Sequence, residues 1–222
     1  MKEIILDTET TGLSVKDGHR IVEIGCIELD NLVPTKKIFH CYLNPEKKVS
    51  ESAYKVHGYS DEFLSDKKKF SEIADSFLEF IKDKKIVIHN AEFDLAHINN
   101  ELEIAGKEKI THKNILDTLD IARKKFPGSS VSLDALCKKF SIDNSKREKH
   151  TALIDCELLA KVYINLLDQK EPKLNFIDDS QEIGNRNISI KKSYSKKIIM
   201  PSEAEIKKHK EYLKKDIKKN FF

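Results

Sequence analysis

Apolar and β-branched residues crowd the start of the chain. Glu3-Ile-Ile-Leu-Asp7 is a short apolar run, and Thr8-Glu9-Thr10-Thr11-Gly12 follows it at once with turn-forming residues. This pattern predicts a strand that empties into a loop, with Asp7 and Glu9 at its exit. Residues 21–29 and 37–43 read as two further strands joined by a loop containing Pro34, and three strands in succession suggest an antiparallel meander. From Phe70 the apolar residues Ile73, Ala74, Phe77, Leu78 and Ile81 recur at helical spacing, and Ile86-Val87-Ile88 then forms a buried-strand run ending at His89-Asn90. A second helical stripe runs through Leu95, Ile98, Leu102 and Ala105, with Gly106 as its stop. Ile115-Leu116 is a brief strand candidate, Ser132 an N-cap for a helix through Phe140, and residues 152–167 carry the longest helical pattern. A mixed α/β fold is expected over residues 1–167.

Beyond residue 167 the texture changes. Residues 168–200 mix Asp, Ser, Asn, Lys and Pro with little periodicity and read as a linker. Pro201-Ser202-Glu203 opens a lysine-rich helix candidate that runs towards Phe221-Phe222. Its few apolar positions, Ile206, Tyr212 and Leu213, would leave it marginal on its own, so docking on a partner is expected.

The 222 residues suffice for one α/β domain and an appendage. No stretch approaches the roughly 20 consecutive apolar residues that span a bilayer. Met-Lys-Glu-Ile-Ile-Leu lacks a signal-peptide pattern, so a soluble, cytoplasmic protein with no membrane partner is expected. Cys26, Cys41, Cys137 and Cys156 lie far apart and form no metal or redox motif, which leaves buried free thiols as the expectation. The net charge of +3 conceals an asymmetry: residues 168–222 hold 14 Lys+Arg against 9 Asp+Glu, and residues 1–167 hold 26 against 28. Affinity for nucleic acid in the body of the chain must therefore come from local arrangement or from metal.

Asp7-x-Glu9 alone says little, because about six acid-x-acid pairs arise by chance in so acidic a chain. On an extended segment, however, residues i and i+2 share a face, so both carboxylates can meet one cation, and hard oxygen donors suit magnesium or manganese. Two distant segments add to this pair. His89-Asn90-Ala91-Glu92-Phe93-Asp94 follows a strand, and His150-Thr-Ala-Leu-Ile-Asp155 enters the long helix. The fixed offset between His150 and Asp155 lifts that histidine out of an otherwise ordinary charged surface run.

Together the three segments resemble the motifs of the DEDDh exonuclease family: Asp-x-Glu, Asn-x-x-x-Asp, and a histidine ahead of an aspartate. The resemblance implies a ribonuclease H-like fold, a five-stranded mixed sheet flanked by helices. It also implies two divalent cations, Mg2+ or Mn2+, held by Asp7, Glu9 and Asp155 directly and by Asp94 partly through water, with His150 as general base. Within the family the chain is similar to the proofreading subunits of bacterial replicative polymerases. The residues that carry this are Asp-Thr-Glu-Thr-Thr-Gly at 7–12, Ile-Val-Glu-Ile-Gly at 21–25, Val-His-Gly at 56–58, Ala-Arg-Lys at 122–124, Phe-Pro-Gly at 126–128, Ser-Leu-Asp-Ala-Leu-Cys at 132–137 and Ile-Asp-Asn-Ser-Lys-Arg at 142–147.

That resemblance implies 3′→5′ hydrolysis of mispaired nucleotides from a single-stranded or frayed DNA end. Asp7, Glu9 and Asp155 would meet the substrate through metal, and Thr10, Gly12, Ser52 and His57 would line the pocket for the terminal nucleotide. His89 is expected to support its loop. Residues 201–222 would tether the polymerase alpha subunit, and Glu171-Pro-Lys-Leu-Asn-Phe176 is similar to sliding-clamp-binding hexapeptides, although Glu171 replaces the usual glutamine. Two alternatives are an RNA 3′-trimming exonuclease with the same site and a catalytically silent replisome scaffold.

Overall fold

The computed structural model describes residues 2–145, 147, 149–168 and 201–216. The linker expectation, the clamp-like hexapeptide and the terminal Phe221-Phe222 fall outside these residues, apart from Asp168. The chain divides into two units, residues 1–176 and 177–222. The second is described only by a helix, α8 (Glu203–Asp216).

The first unit is built on a five-stranded sheet in the order β3-β2-β1-β4-β5. β1 (Lys2–Thr10), β2 (Ile21–Asp30) and β3 (Val33–Tyr42) form the expected antiparallel meander, and β4 (Lys85–Ile88) and β5 (Ile115–Asp117) add on in parallel. Three features differ from the sequence reading. β1 continues to Thr10, because its antiparallel ladder to β2 outlasts its apolar run, so Asp7 and Glu9 lie within the strand and not in a loop beyond it. β3 begins at Val33 and absorbs Pro34, which an edge strand tolerates, after a tight turn with positive φ at Asn31 and Leu32. Short helices α1 (Glu51–His57), α2 (Asp61–Ser65) and α5 (Thr118–Lys125) also form where no long apolar period announces them.

The remaining helices cover both faces of the sheet. On one side α3 (Phe70–Ile81) and α4 (Ala91–Ile104) bury Phe77, Leu95, Ile98 and Leu102 against Ile4, Leu6, Ile24 and Cys26. On the other, α6 (Leu133–Lys139) and α7 (Ala152–Leu166) bury Leu136, Leu158, Leu159 and Val162 against Ile5, Ile27, Leu29 and Val87. Strand alternation assigns the faces: on β1 the even positions look towards α4 and the odd ones towards α7. Burying one Leu or Ile side chain on either face stabilises the fold by about 1.5–3 kcal/mol. All four cysteines are free, three of them buried. Among the described residues, no helix is long and apolar enough to cross a membrane.

Candidate active site

β4 pairs with β1 only from Glu3 to Ile5, so the C-terminal half of β1 runs on past the end of the parallel strands. Open sheets of this kind bind ligands in the crevice at the carboxyl ends of their strands. Asp7 and Glu9 occupy odd positions there and face α7, whose first turn carries Asp155. Thr8 faces the other way, and its hydroxyl donates to Asp94 Oδ1 at 2.7 Å in the first turn of α4. Carboxylates from both layers therefore converge on one strand end.

Two local devices hold the helix starts in place. α4 begins at Asn90, whose φ of 71° is one that asparagine tolerates, and the Asp117 carboxylate accepts hydrogen bonds from Asn90 N and Ala91 N at 3.0 Å. His89 Nδ1 meets Thr118 Oγ1 at 2.9 Å, so this residue supports the loop as expected. α7 starts against β2 at Gly25, where an added Cβ would lie 2.6 Å from the Ala152 carbonyl carbon, so only glycine admits the helix this closely. Buried Glu23 completes the seat: it accepts from Ala152 N at 2.9 Å and from the Tyr59 hydroxyl at 2.8 Å, and it meets His40 Nε2 at 2.7 Å.

The acids crowd one another. Burial first, and then the charges of Asp94, Asp155 and Glu9, push Asp7 well above the usual carboxylate range. Burial and the neighbouring Asp155, Glu23 and Asp94 raise Glu9 to about 8. Burial raises Asp94 to about 7 against the opposing hydrogen bond from Thr8. Asp155 behaves differently. Burial pushes it upward, but its neighbours His150 and Arg147 outweigh that and hold it below its ordinary value.

Such a set suits a divalent cation on chemical grounds. The donors are hard oxygens, and their mutual repulsion is what a cation would relieve. Glu9, His150 and Asp155 each bring a ligand atom to within 4.8 Å of the others. His150 is partly exposed and accepts from Arg147 Nη2 at Nδ1, 2.8 Å away, with the Asp155 carboxylate 3.4 Å distant. Asp7 and Asp94 act on the cluster through their charges.

The four residues expected around a terminal nucleotide fall together. Thr10, Gly12, Ser52 and His57 line one pocket of about 240 Å³ with Thr8, Glu9, Leu13 and Phe93. A Cβ on Gly12 would sit 2.4 Å from the His19 ring, so that side chain would have to move aside to admit one. The Thr10 hydroxyl donates to Gly12 O at 2.8 Å, so it shapes its own loop. His57 is buried and accepts from Tyr59 N at 3.0 Å through Nδ1. Leu13 stands at the rim, 83% exposed.

Sequence reasoning misses five contributors. Glu23 sits inside Ile-Val-Glu-Ile-Gly, and an acid set between apolar neighbours is itself a signal. Asp117 has the position of an N-cap. Phe93 and Leu13 carry no signal beyond adjacency to the motifs. Arg147 closes the segment 142–147, whose pattern assigns it no chemical part.

The "RNase_T: Exonuclease" family model matches residues 4–163. The chain is 48% identical over 221 residues to DNA polymerase III subunit epsilon of Rickettsia typhi, covering 97% of this chain and 96% of that protein. It is 45% identical over 170 residues to the subunit of the same name from Escherichia coli, covering 73% of this chain and 70% of that one. Among solved structures, the nuclease domain of 3′hExo, a DEDDh family member, shares the fold with a TM-score of 0.66 at 16% identity, covering 76% of this chain and 92% of that one. Fold, carboxylate cluster and family model together define a divalent-cation-dependent exonuclease. Within that class, the chain belongs to the DNA polymerase III subunit epsilon family.

Proposed function

We propose that this protein is a proofreading 3′→5′ DNA exonuclease that removes mispaired terminal nucleotides as part of a replicative polymerase. The observation that carries the reading is the adjacency of the acidic cluster to a pocket of nucleobase size, with Glu9 belonging to both. In this reading the pocket takes the terminal nucleoside: Thr10 and Gly12 shape one wall, Ser52 and His57 another, and the exposed Leu13 meets the next base at the rim. The scissile phosphate then lies over Glu9, with Asp7 and Asp155 beside it.

Asp7, Glu9 and Asp155 would hold the cations directly, and Asp94, oriented by Thr8, is the fourth donor. Two such ions, magnesium or manganese, supply Lewis-acid chemistry when bound, acidifying water and neutralising charge on the phosphate. His150 accepts the water's proton at Nδ1. Imidazole suits the task because its ordinary pKa lies near working pH and its position leaves it partly open to solvent. For this transfer the ring must be neutral and Nδ1 free.

The polymerase alpha subunit is the expected partner of residues 201–222. In α8, Ile206 and Tyr212 are exposed at 41% and 57%, apolar side chains on a lysine-rich helix that a partner could cover. The clamp-like segment at 171–176 is a further candidate contact, and a replisome subunit would work in the cytoplasm.

The test is digestion of 3′-labelled DNA and RNA, matched and mismatched, in magnesium, manganese or EDTA. The reading expects preference for mismatched DNA ends, no activity in EDTA and none in Asp7→Ala. Activity that survives EDTA would overturn the cation assignment, and preference for RNA would overturn the substrate.

A further inference from the structure

Segment 142–147 is the motif to which the hydrolytic site gives no task. Its fold delivers one side chain. Asn144 Nδ2 donates to Asp134 Oδ1 at 3.0 Å, and Arg147 N closes a turn on Asn144 O at 2.9 Å. This turn presents a guanidinium whose side chain is only 7% exposed. Every nitrogen of it is engaged. Nε and Nη2 form a fork on the two Asp155 oxygens at 2.5 and 2.7 Å, Nη2 also reaches His150 Nδ1 at 2.8 Å, and Nη1 pairs with Asp134 at 2.7 Å. The fork is the strongest geometry a carboxylate can accept.

Two consequences follow from the chemistry of these groups. His150 Nδ1 is hemmed in: the guanidinium stands 2.8 Å from it and the Asp155 carboxylate 3.4 Å, so both sides of that nitrogen are occupied. A water can approach Nδ1 only once the guanidinium withdraws. A divalent cation ligated by Asp155 likewise needs an oxygen that the fork occupies, and the two positive charges repel across a few ångströms in a site largely closed to water. Asp134 differs from Asp155 in being about half exposed, so it can keep hold of the guanidinium from outside the site.

We propose that Arg147 is an internal counter-cation of the carboxylate site, competing with the divalent cation for Asp155 and retreating to Asp134 as that cation binds. The inference rests on the reading that Asp155 is a cation ligand. Withdrawal frees Asp155 and His150 Nδ1 in one movement, so the base becomes available only in a loaded site. Residues 142–145 and Arg147 are then the arm that carries this charge.

The test measures Mn2+ binding by titration calorimetry on the full chain, with melting temperatures in EDTA and in saturating Mn2+. Arg147→Gln is expected to bind Mn2+ about tenfold more tightly, equivalent to about 1.4 kcal/mol. It should melt below the parent in EDTA, where buried Asp155 has lost its partner, and the gap should narrow when Mn2+ is added. Asp134→Asn, at a half-exposed position that threatens no core, should shift affinity the other way by about threefold, because the guanidinium then rests more fully on Asp155. Unchanged affinity in both variants, or a melting gap that Mn2+ leaves untouched, would reduce Arg147 to a structural tie and overturn the proposal. If the parent chain itself binds no Mn2+, the cation reading beneath it fails instead.

Discussion

Gly25→Ala adds a single methyl group on β2, in the ladder position opposite Asp7, and its effect should reach the chemistry through α7. The new Cβ would stand 2.6 Å from the Ala152 carbonyl carbon, 2.7 Å from its oxygen and 2.8 Å from Leu153 N. These are backbone atoms of the first turn of α7, which no rotamer change can move aside. Ordinary contact begins near 3.4 Å, so the helix start must rise by about 0.8 Å. Overpacking of this kind costs about 1–3 kcal/mol. In a domain of this size that is a fall in melting temperature of about 2–4 °C for each kcal/mol. The same shift carries Asp155 off Glu9 and loosens the bond from Ala152 N to Glu23. Misplacement of a reacting group by about 1 Å can cost about 100-fold in rate. Turnover on a mismatched 3′ end should therefore fall about 100-fold while circular dichroism still reports a folded chain. Wild-type turnover and melting temperature in Gly25→Ala would refute the argument that α7 is seated through this contact.

Two further outcomes can be checked with the same material. His150→Ala should lower turnover by about 10²–10⁴-fold, the usual contribution of a general base, while calorimetry still detects Mn2+ binding; unchanged turnover would remove His150 from that role. The raised carboxylates also predict a pH dependence. Glu9 and Asp94 bind protons more tightly folded than unfolded, so stability in EDTA should fall as pH rises from about 4.5 towards their folded values of about 8 and 7. Divalent cation should flatten that slope, and an EDTA melting curve independent of pH over this window would contradict the crowding of charges.

How much of the fold and the site is legible in the sequence depends on the range of the interaction that fixes each feature. Ser132 and Gly106 act through their own neighbours: the Ser132 hydroxyl accepts from Ala135 N, and Gly106 follows α4 with φ 67°, both as local pattern predicts. β1 outruns its apolar stretch because its length is set by pairing with β2, a separate segment of chain, and not by its own composition. The catalytic candidates are readable because their spacing is fixed by strand alternation and by entry into a helix, both local rules. Glu23 and Asp117 are not. A carboxylate such as Asp117, which orients two backbone N–H groups 26 and 27 residues away, looks like any other acid until the fold closes.

Arg147 marks the limit most clearly. Its charge places it, by composition, in a solvated basic run, yet its side chain is 7% exposed and its carboxylate partners lie on two different helices. A guanidinium leaves water at a large cost unless every donor is matched, and here the matching groups include the very carboxylate and imidazole proposed for the chemistry. The site therefore carries a positive charge of its own among Asp7, Glu9, Glu23, Asp94 and Asp155. That charge is placed where it lowers Asp155 while Glu9 and Asp94 remain raised, so the cluster is electrostatically divided between an acid already paired and acids awaiting a counter-charge. On the proposal above, a divalent cation entering the site meets a carboxylate already paired with an arginine, so the exchange of one cation for the other would ready both ligand and base.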